Sequence, residues 1–145
     1  MKKLIGQSMI EARLISESQL ADLLEYQNKS RDRALLGKLS IELGLVTDDE
    51  FAPFIASYFD VPYVNLKGLP PVPKEVIELI PEAIAKRLNA APLTRDNDTL
   101  TVAVSDPMDL TTIDNLETIT HCRVKTVVST PAQIKHTIAI SYGIF

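Results

Sequence analysis

Apolar positions in the first sixty residues recur at helical spacing, and the pattern occurs twice. In LIGQSMIEARLISESQL, residues 4–20, Ile5, Ile10, Leu14, Ile15 and Leu20 alternate with polar positions; ALLGKLSIELGLVTDDEF, residues 34–51, repeats the arrangement 31 positions later. At that offset Gly6 pairs with Gly37, Ile10 with Ile41, Glu11 with Glu42, Leu14 with Leu45 and Ala21 with Ala52. Softer matches carry more: Ile5 meets Leu36, Ile15 meets Val46, Leu20 meets Phe51, and Ser16-Glu17-Ser18-Gln19 meets Thr47-Asp48-Asp49-Glu50. Both tetrads have the form of a capping box, and Ile15 with Leu20, or Val46 with Phe51, has the placement of a hydrophobic staple. Each unit therefore predicts helix, tight turn, helix. Gly44 sits where the second unit's first helix must end, since glycine enters the left-handed conformation without a Cβ clash. Arg13 occupies the same place in the first unit, where that geometry costs a non-glycine residue about 1–2 kcal/mol. Pro53, six residues past Thr47, predicts a kink or a delayed helix start. Two copies are fewer than a stable helical array normally needs, so the second half is expected to supply cover.

From about residue 88 the grammar changes to short β-branched runs. LTVAV, residues 100–104, places Leu100, Val102 and Val104 on one face, and it follows NAAPLTRDNDT through an Asp96-Asn97-Asp98 turn, which predicts a hairpin. Ser105-Asp106-Pro107 then opens a helix carrying Leu110, Ile113, Leu116 and Ile119. RVKTVVS predicts another strand. Thr130-Pro131-Ala132-Gln133 is a third capping box, before a helix with Ile134, Ile138 and Tyr142 on one face and Gly143 at its end. Between the halves lies KGLPPVPKE, where Pro70, Pro71 and Pro73 favour an extended connector. The expectation is an α+β chain with three parts. Residues 1–66 form a helical subdomain of two helix-turn-helix repeats, residues 67–75 a proline-rich connector, and residues 76–145 a small α/β subdomain with about three strands in the order β-β-α-β-α.

Composition narrows the chemistry. A formal charge of −4 and a pI near 5.1 argue against broad phosphate-backbone binding, so nucleic acid is not an expected partner. No run of about 18 apolar residues appears, and MKKLIGQSM lacks an apolar signal region, which predicts a cytoplasmic protein without direct membrane insertion. Cys122 is a single cysteine, read as a half-buried residue at a strand entry, and His121-Cys122 has too few companions for zinc. His136 reads as a solvated helix residue. Neither histidine has a nucleophile or carboxylate at useful spacing, so no catalytic residue, metal site or cofactor is expected. Gly37-Lys38 is not a phosphate loop, because Asp32 stands where its first glycine belongs and Leu39 where its Ser or Thr belongs. Asp48, Asp49 and Glu50 read as helix-dipole partners. NKSRDR, residues 28–33, reads as a solvated link between the repeats. A sharper reading takes Lys3 and Arg33, each just before a repeat, together with the adjacent glycine, as a holder for an anion.

The chain resembles the N-terminal domain of type II secretion ATPases and type IV pilus assembly ATPases. Ile5-Gly6, Ile10, Leu14-Ile15, Leu20, Leu24 and Gln27 match the family's first unit, and Leu36-Gly37, Ile41, Gly44-Leu45-Val46 and Phe51 its second. Val61-Pro62-Tyr63-Val64-Asn65-Leu66, Ile80-Pro81-Glu82, Leu100-Thr101-Val102-Ala103, Ser105-Asp106-Pro107 and Tyr142-Gly143 extend the likeness over nearly the whole chain. The resemblance implies a non-catalytic docking or regulatory module. Its partner would be the cytoplasmic part of an inner-membrane secretion or pilus platform protein, with a second copy of the chain as a further candidate. Its location would be cytoplasmic, at the inner membrane only through that partner. The resemblance also implies an alternative, since some relatives bind cyclic di-GMP through the two repeats. On that reading Gly6, Gln27, Leu36, Gly37 and Gly44 hold the nucleotide, and Lys3, Arg13 and Arg33 supply phosphate contacts. Leu4 and Leu35 stand where ligand-binding relatives carry arginine, and leucine offers no bidentate donor, which favours the docking reading.

Overall fold

The computed structural model describes residues 4–29 and 36–143. The chain divides into two compact units, Met1–Phe54 and Ile55–Phe145.

In the first unit, α1 (Ile5–Glu11) and α2 (Glu17–Lys29) form one helix pair, and α3 (Leu36–Glu42) and α4 (Asp48–Tyr58) form another, with α4 running on into the second unit. The two turns have the same hydrogen bonds at the predicted offset. Arg13 N–H donates to Ile10 O (2.9 Å) and Leu14 N–H to Met9 O (3.0 Å); Gly44 N–H donates to Ile41 O (3.0 Å) and Leu45 N–H to Ser40 O (2.9 Å). Both capping boxes close reciprocally. Gln19 N–H donates to Ser16 Oγ (3.1 Å) while Ser16 N–H donates to Gln19 Oε1 (2.8 Å). Glu50 N–H donates to Thr47 Oγ1, and Thr47 N–H to Glu50 Oε1, each at 3.1 Å. Met9, Ile15, Leu23, Leu36, Leu39 and Val46 form the core, with Leu20 and Phe51 packed against it as the staples require. Pro53 does not delay its helix, because α4 begins at Asp48 and continues through the proline to Tyr58.

The second unit adds α5 (Lys74–Ile77), α6 (Glu82–Leu88), β1 (Ala91–Asp96), β2 (Thr99–Val104), α7 (Leu110–Thr120), β3 (Arg123–Val128) and α8 (Pro131–Ser141). The sheet order is β1-β2-β3. β1 and β2 form the expected hairpin, with Asn97 left-handed in its turn (φ 56°) and a bulge between Pro92 and Thr94. β2 and β3 are parallel in register from Thr99↔Arg123 to Val104↔Val128, as their connection through a helix requires. Leu100, Val102 and Val104 are buried as expected, but so is Ala103, so both faces of β2 are covered. The eight helices and three-stranded sheet among the described residues make the α+β fold that the sequence pattern predicts.

Four local expectations are corrected. Pro107 does not open α7; Asp109 caps it instead, accepting from Thr112 N–H at 3.2 Å and from Thr112 Oγ1 at 2.8 Å. The face α7 buries is Thr112, Leu116 and Thr120, and Leu110 is 59% exposed. Cys122 is buried rather than half-buried. His121, the neighbour of that strand-entry cysteine, belongs to the helix before it, as the left-handed cap of α7 (φ 57°). The third capping box forms by half: Thr130 Oγ1 accepts from Gln133 N–H (3.2 Å), but Gln133 Oε1 accepts from Leu66 N–H (2.7 Å) and Ser129 Oγ (3.0 Å).

That diverted glutamine is one of three side chains by which the end of the chain clasps residues 62–80. Ser141 Oγ accepts from Val72 N–H (3.0 Å) within the proline-rich segment, and Tyr142 OH donates to Ile80 O (2.8 Å). Burial first, and then the Glu82 carboxylate, push the Tyr142 phenol up to about 12. Tyr63 also bridges Val128 in parallel. Backbone groups of residues that form no regular element are thereby satisfied, which an extended stretch beside a core demands. Leu66, Val76 and Ile80 join that core with Leu100, Leu116, Ile134 and Ile138.

Candidate functional site

The candidate residues lie in the first unit. Gly6 and Gly37 occupy the same place in α1 and α3, and both are buried. Neither faces open space. A Cβ on Gly6 would lie 2.7 Å from Leu20 Cδ1 and 3.0 Å from Leu36 Cδ2; one on Gly37 would collide with Cζ and Cε1 of the Phe51 ring. Each glycine is thus a notch in the first helix of a pair, filled by the staple residue at the head of the second. The 31-residue offset relates Gly6 to Gly37 and Leu20 to Phe51, so each notch and its plug repeat together. Both glycines thereby acquire a packing reason of their own.

Leu36 is buried, and its contact with Gly6 joins the two repeats across α1 and α3. Gly44 is left-handed (φ 76°), with nothing within 4 Å of a Cβ placed there. Arg13 adopts the same conformation (φ 62°) and is exposed, so the first turn has the geometry of the second despite its side chain. Gln27 is half-buried near the end of α2. Lys3, Arg33, Leu35 and residues 30–32 of the link lie outside the described residues. The structure therefore brings Gly6 and Leu36 together and places Arg13 and Gly44 in equivalent turns. Leu4, at the head of α1, is 82% exposed. Leu24, Tyr26 and Leu43 are also exposed, with Tyr26 at 52%. The sequence carried one signal for the plugs: Leu20 and Phe51 are bulky residues that recur in step with the glycines.

Among the described residues no group of three His, Cys, Asp or Glu side chains could hold a metal ion, and no helix is long and apolar enough to cross a membrane.

These features define a two-unit α+β module that begins with paired helix-turn-helix repeats and continues into a β-β-α-β-α unit. Residues 59–144, more than half of the chain, match the MshEN domain, and the chain belongs to that family. It is 28% identical, over 96% of its length, to the type IV pilus assembly ATPase PilB of Myxococcus xanthus. To the type IV pilus assembly ATPase PilB of Thermus thermophilus it is 27% identical over 97% of its length. The chain spans 24% and 16% of the length of these curated relatives. Among solved structures, that of MshE with cdg superposes with a TM-score of 0.79 at 28% identity, covering 94% of this chain and 96% of that one. Two crystal forms of the N-terminal domain of XpsE give TM-scores of 0.75 at 22% identity and 0.63 at 23%, each covering at least 98% of this chain and all of the other, and share the fold. The chain is thus an MshEN-family domain homologous to part of the type IV pilus assembly ATPase PilB and to MshE.

Proposed function

We propose that this chain is a non-catalytic docking and regulatory module that binds the cytoplasmic part of an inner-membrane secretion or pilus platform protein. The observation that carries this reading is the set of large apolar side chains on the surface of the repeats: Leu4, Leu24, Tyr26 and Leu43. Leu4 supports it most, because an apolar side chain at a helix head, 82% exposed, contributes nothing to the core. Desolvating such side chains, an aromatic one included, is what drives stable protein contacts. The kinship to PilB, of which the chain spans a minor part, supports a module acting beside a separate catalytic region.

The test is calorimetric titration of the cytoplasmic fragment of the platform protein from the same secretion or pilus system. The wild type is expected to bind. Leu4→Arg and Tyr26→Asp, both at exposed positions, are expected to weaken binding at least tenfold with no change in the circular dichroism spectrum. Wild-type binding that is absent, or insensitive to both substitutions, contradicts the reading.

One observation favours a second reading: the likeness to MshE with cdg. On that reading the repeats bind cyclic di-GMP through Gly6, Gln27, Leu36, Gly37 and Gly44, with Lys3, Arg13 and Arg33 at the phosphates. Because the Cβ space of Gly6 and Gly37 is filled from within the repeat, what these two glycines could offer a nucleotide is backbone. Of these three cations Arg13 is the one among the described residues, and it is exposed on a turn. Titration with cyclic di-GMP separates the readings. Heat lost in Arg13→Ala supports the nucleotide, and no heat at high micromolar ligand removes it.

A further inference from the structure

The second unit carries a cleft of a different kind, independent of the repeats and of both readings above. It lies between the last turn of α6 and the first turns of α8, with a volume of about 560 Å³, and is open along one side rather than enclosed. Ala132, Ile138 and Ala139 give it an apolar floor, and Lys86, Asn89 and Lys135 line it with polar groups. Asn89 is held in place. It is the left-handed cap of α6 (φ 48°), and its Nδ2 donates to Pro131 O at 3.2 Å, which ties the end of α6 to the start of α8.

The charges are unbalanced. Lys86 pairs with Glu82 one turn back on α6 (3.0 Å), whereas Lys135 has no ion-pair partner among the described residues. The opening turn of α8 adds its partial positive charge on the same side. The cleft therefore complements an anionic group, and Ile138 and Ala139 complement an apolar one beside it. The Asn89 amide oxygen accepts no hydrogen bond among the described residues, so an acceptor remains on a residue that lines the cleft. A small metabolite normally requires a pocket that buries most of its surface, which an open cleft does not provide. Cation, amide acceptor and apolar floor in an open trough together match an extended peptide.

We propose that the α6/α8 cleft is a docking site for an acidic segment of a partner protein, with a carboxylate at Lys135 and an apolar side chain on Ile138 and Ala139. The test is a nuclear magnetic resonance titration of the 15N-labelled chain with a capped hexapeptide, Gly-Glu-Glu-Leu-Glu-Gly, against the same peptide with lysine for each glutamate. The expected result is saturable shifts centred on the amides of Asn89, Ala132, Lys135 and Ala139 with the acidic peptide alone. They should weaken at least fivefold in Lys135→Glu and be unchanged in Lys125→Glu, an exposed lysine on β3. The proposal is overturned if no shifts saturate, if both peptides act alike, if Lys135→Glu binds as the wild type does, or if inorganic phosphate alone reproduces the pattern. The last outcome would make the cleft a simple anion site.

Discussion

The two repeats of the first unit share a backbone and differ in what fills it. The two central turn hydrogen bonds and the reciprocal pair of each capping box recur at an offset of 31 residues, although few side chains are identical. Three of the differences bear directly on packing and turn geometry. Leu20 fills the notch at Gly6 where the Phe51 ring fills that at Gly37; Arg13 holds the left-handed turn that Gly44 holds without strain; Met9 is buried where Ser40 is buried. Ser40 remains satisfied by donating to Leu36 O at 2.9 Å. Geometry is retained where the backbone needs it, and identity drifts wherever another side chain meets the same need.

The largest effect is expected at the notches. Gly37→Ala forces a methyl group into the Phe51 ring, a rigid plate that must swing as a whole to make room, and should cost about 1–3 kcal/mol of unfolding free energy in urea titration. Gly6→Ala meets the mobile end of Leu20, and the better helix propensity of alanine, up to about 1 kcal/mol, offsets the crowding. The two substitutions should therefore differ clearly, and Phe51→Leu should relieve Gly37→Ala. Equal costs would mean that the notches are not packed as described. The turns come next. Gly44→Arg should cost about 1–2 kcal/mol, the penalty of a Cβ in the left-handed region. Arg13→Gly should gain less, about 0.5 kcal/mol, because glycine also loses more entropy on folding. The caps should not distinguish the repeats: Ser16→Ala and Thr47→Ala should each cost about 1 kcal/mol.

A further effect, confined to alkaline pH, lies in the second unit. Tyr142 is an acid with its folded pKa raised from 10.0 to about 12, so its neutral form is favoured in the folded state. Its contribution is complete below pH 10 and is lost as pH rises through 12, since the unfolded chain gives up the proton first. Melting temperature should fall over that window, and Tyr142→Phe should remove this part of the fall while costing about 1 kcal/mol at neutral pH for the lost hydrogen bond.

What the sequence made legible follows from range. Capping boxes, turn glycine and strand alternation are decided by residues within a few positions of one another, and those elements form where the pattern puts them. Gln133 shows the limit: its spacing from Thr130 predicts a box, but a buried backbone N–H at Leu66, 67 positions away, competes for its oxygen. α5 and α6 carried no signal because each follows a proline and has no side-chain cap. Leu110 lies in the expected helix but at its first position, exposed, because the buried face runs through Thr112, Leu116 and Thr120, two of them threonines that an apolar pattern does not mark. At the candidate site, the pattern showed that Gly6 and Gly37 recur at the same place in the two repeats. It did not show that Leu20 and Phe51 are what approaches, since a ligand and a neighbouring side chain impose the same demand on a glycine.

Leu4 is where the account is most exposed to test. It heads α1 at a position where ligand-binding relatives are expected to carry arginine, and it faces solvent. The decisive measurement is calorimetric titration of the platform protein's cytoplasmic fragment into the wild type and into Leu4→Arg. Saturable wild-type binding that falls at least tenfold in the variant is the predicted result. A wild type that gives no heat with the fragment, or a variant that binds it equally well, would contradict the account.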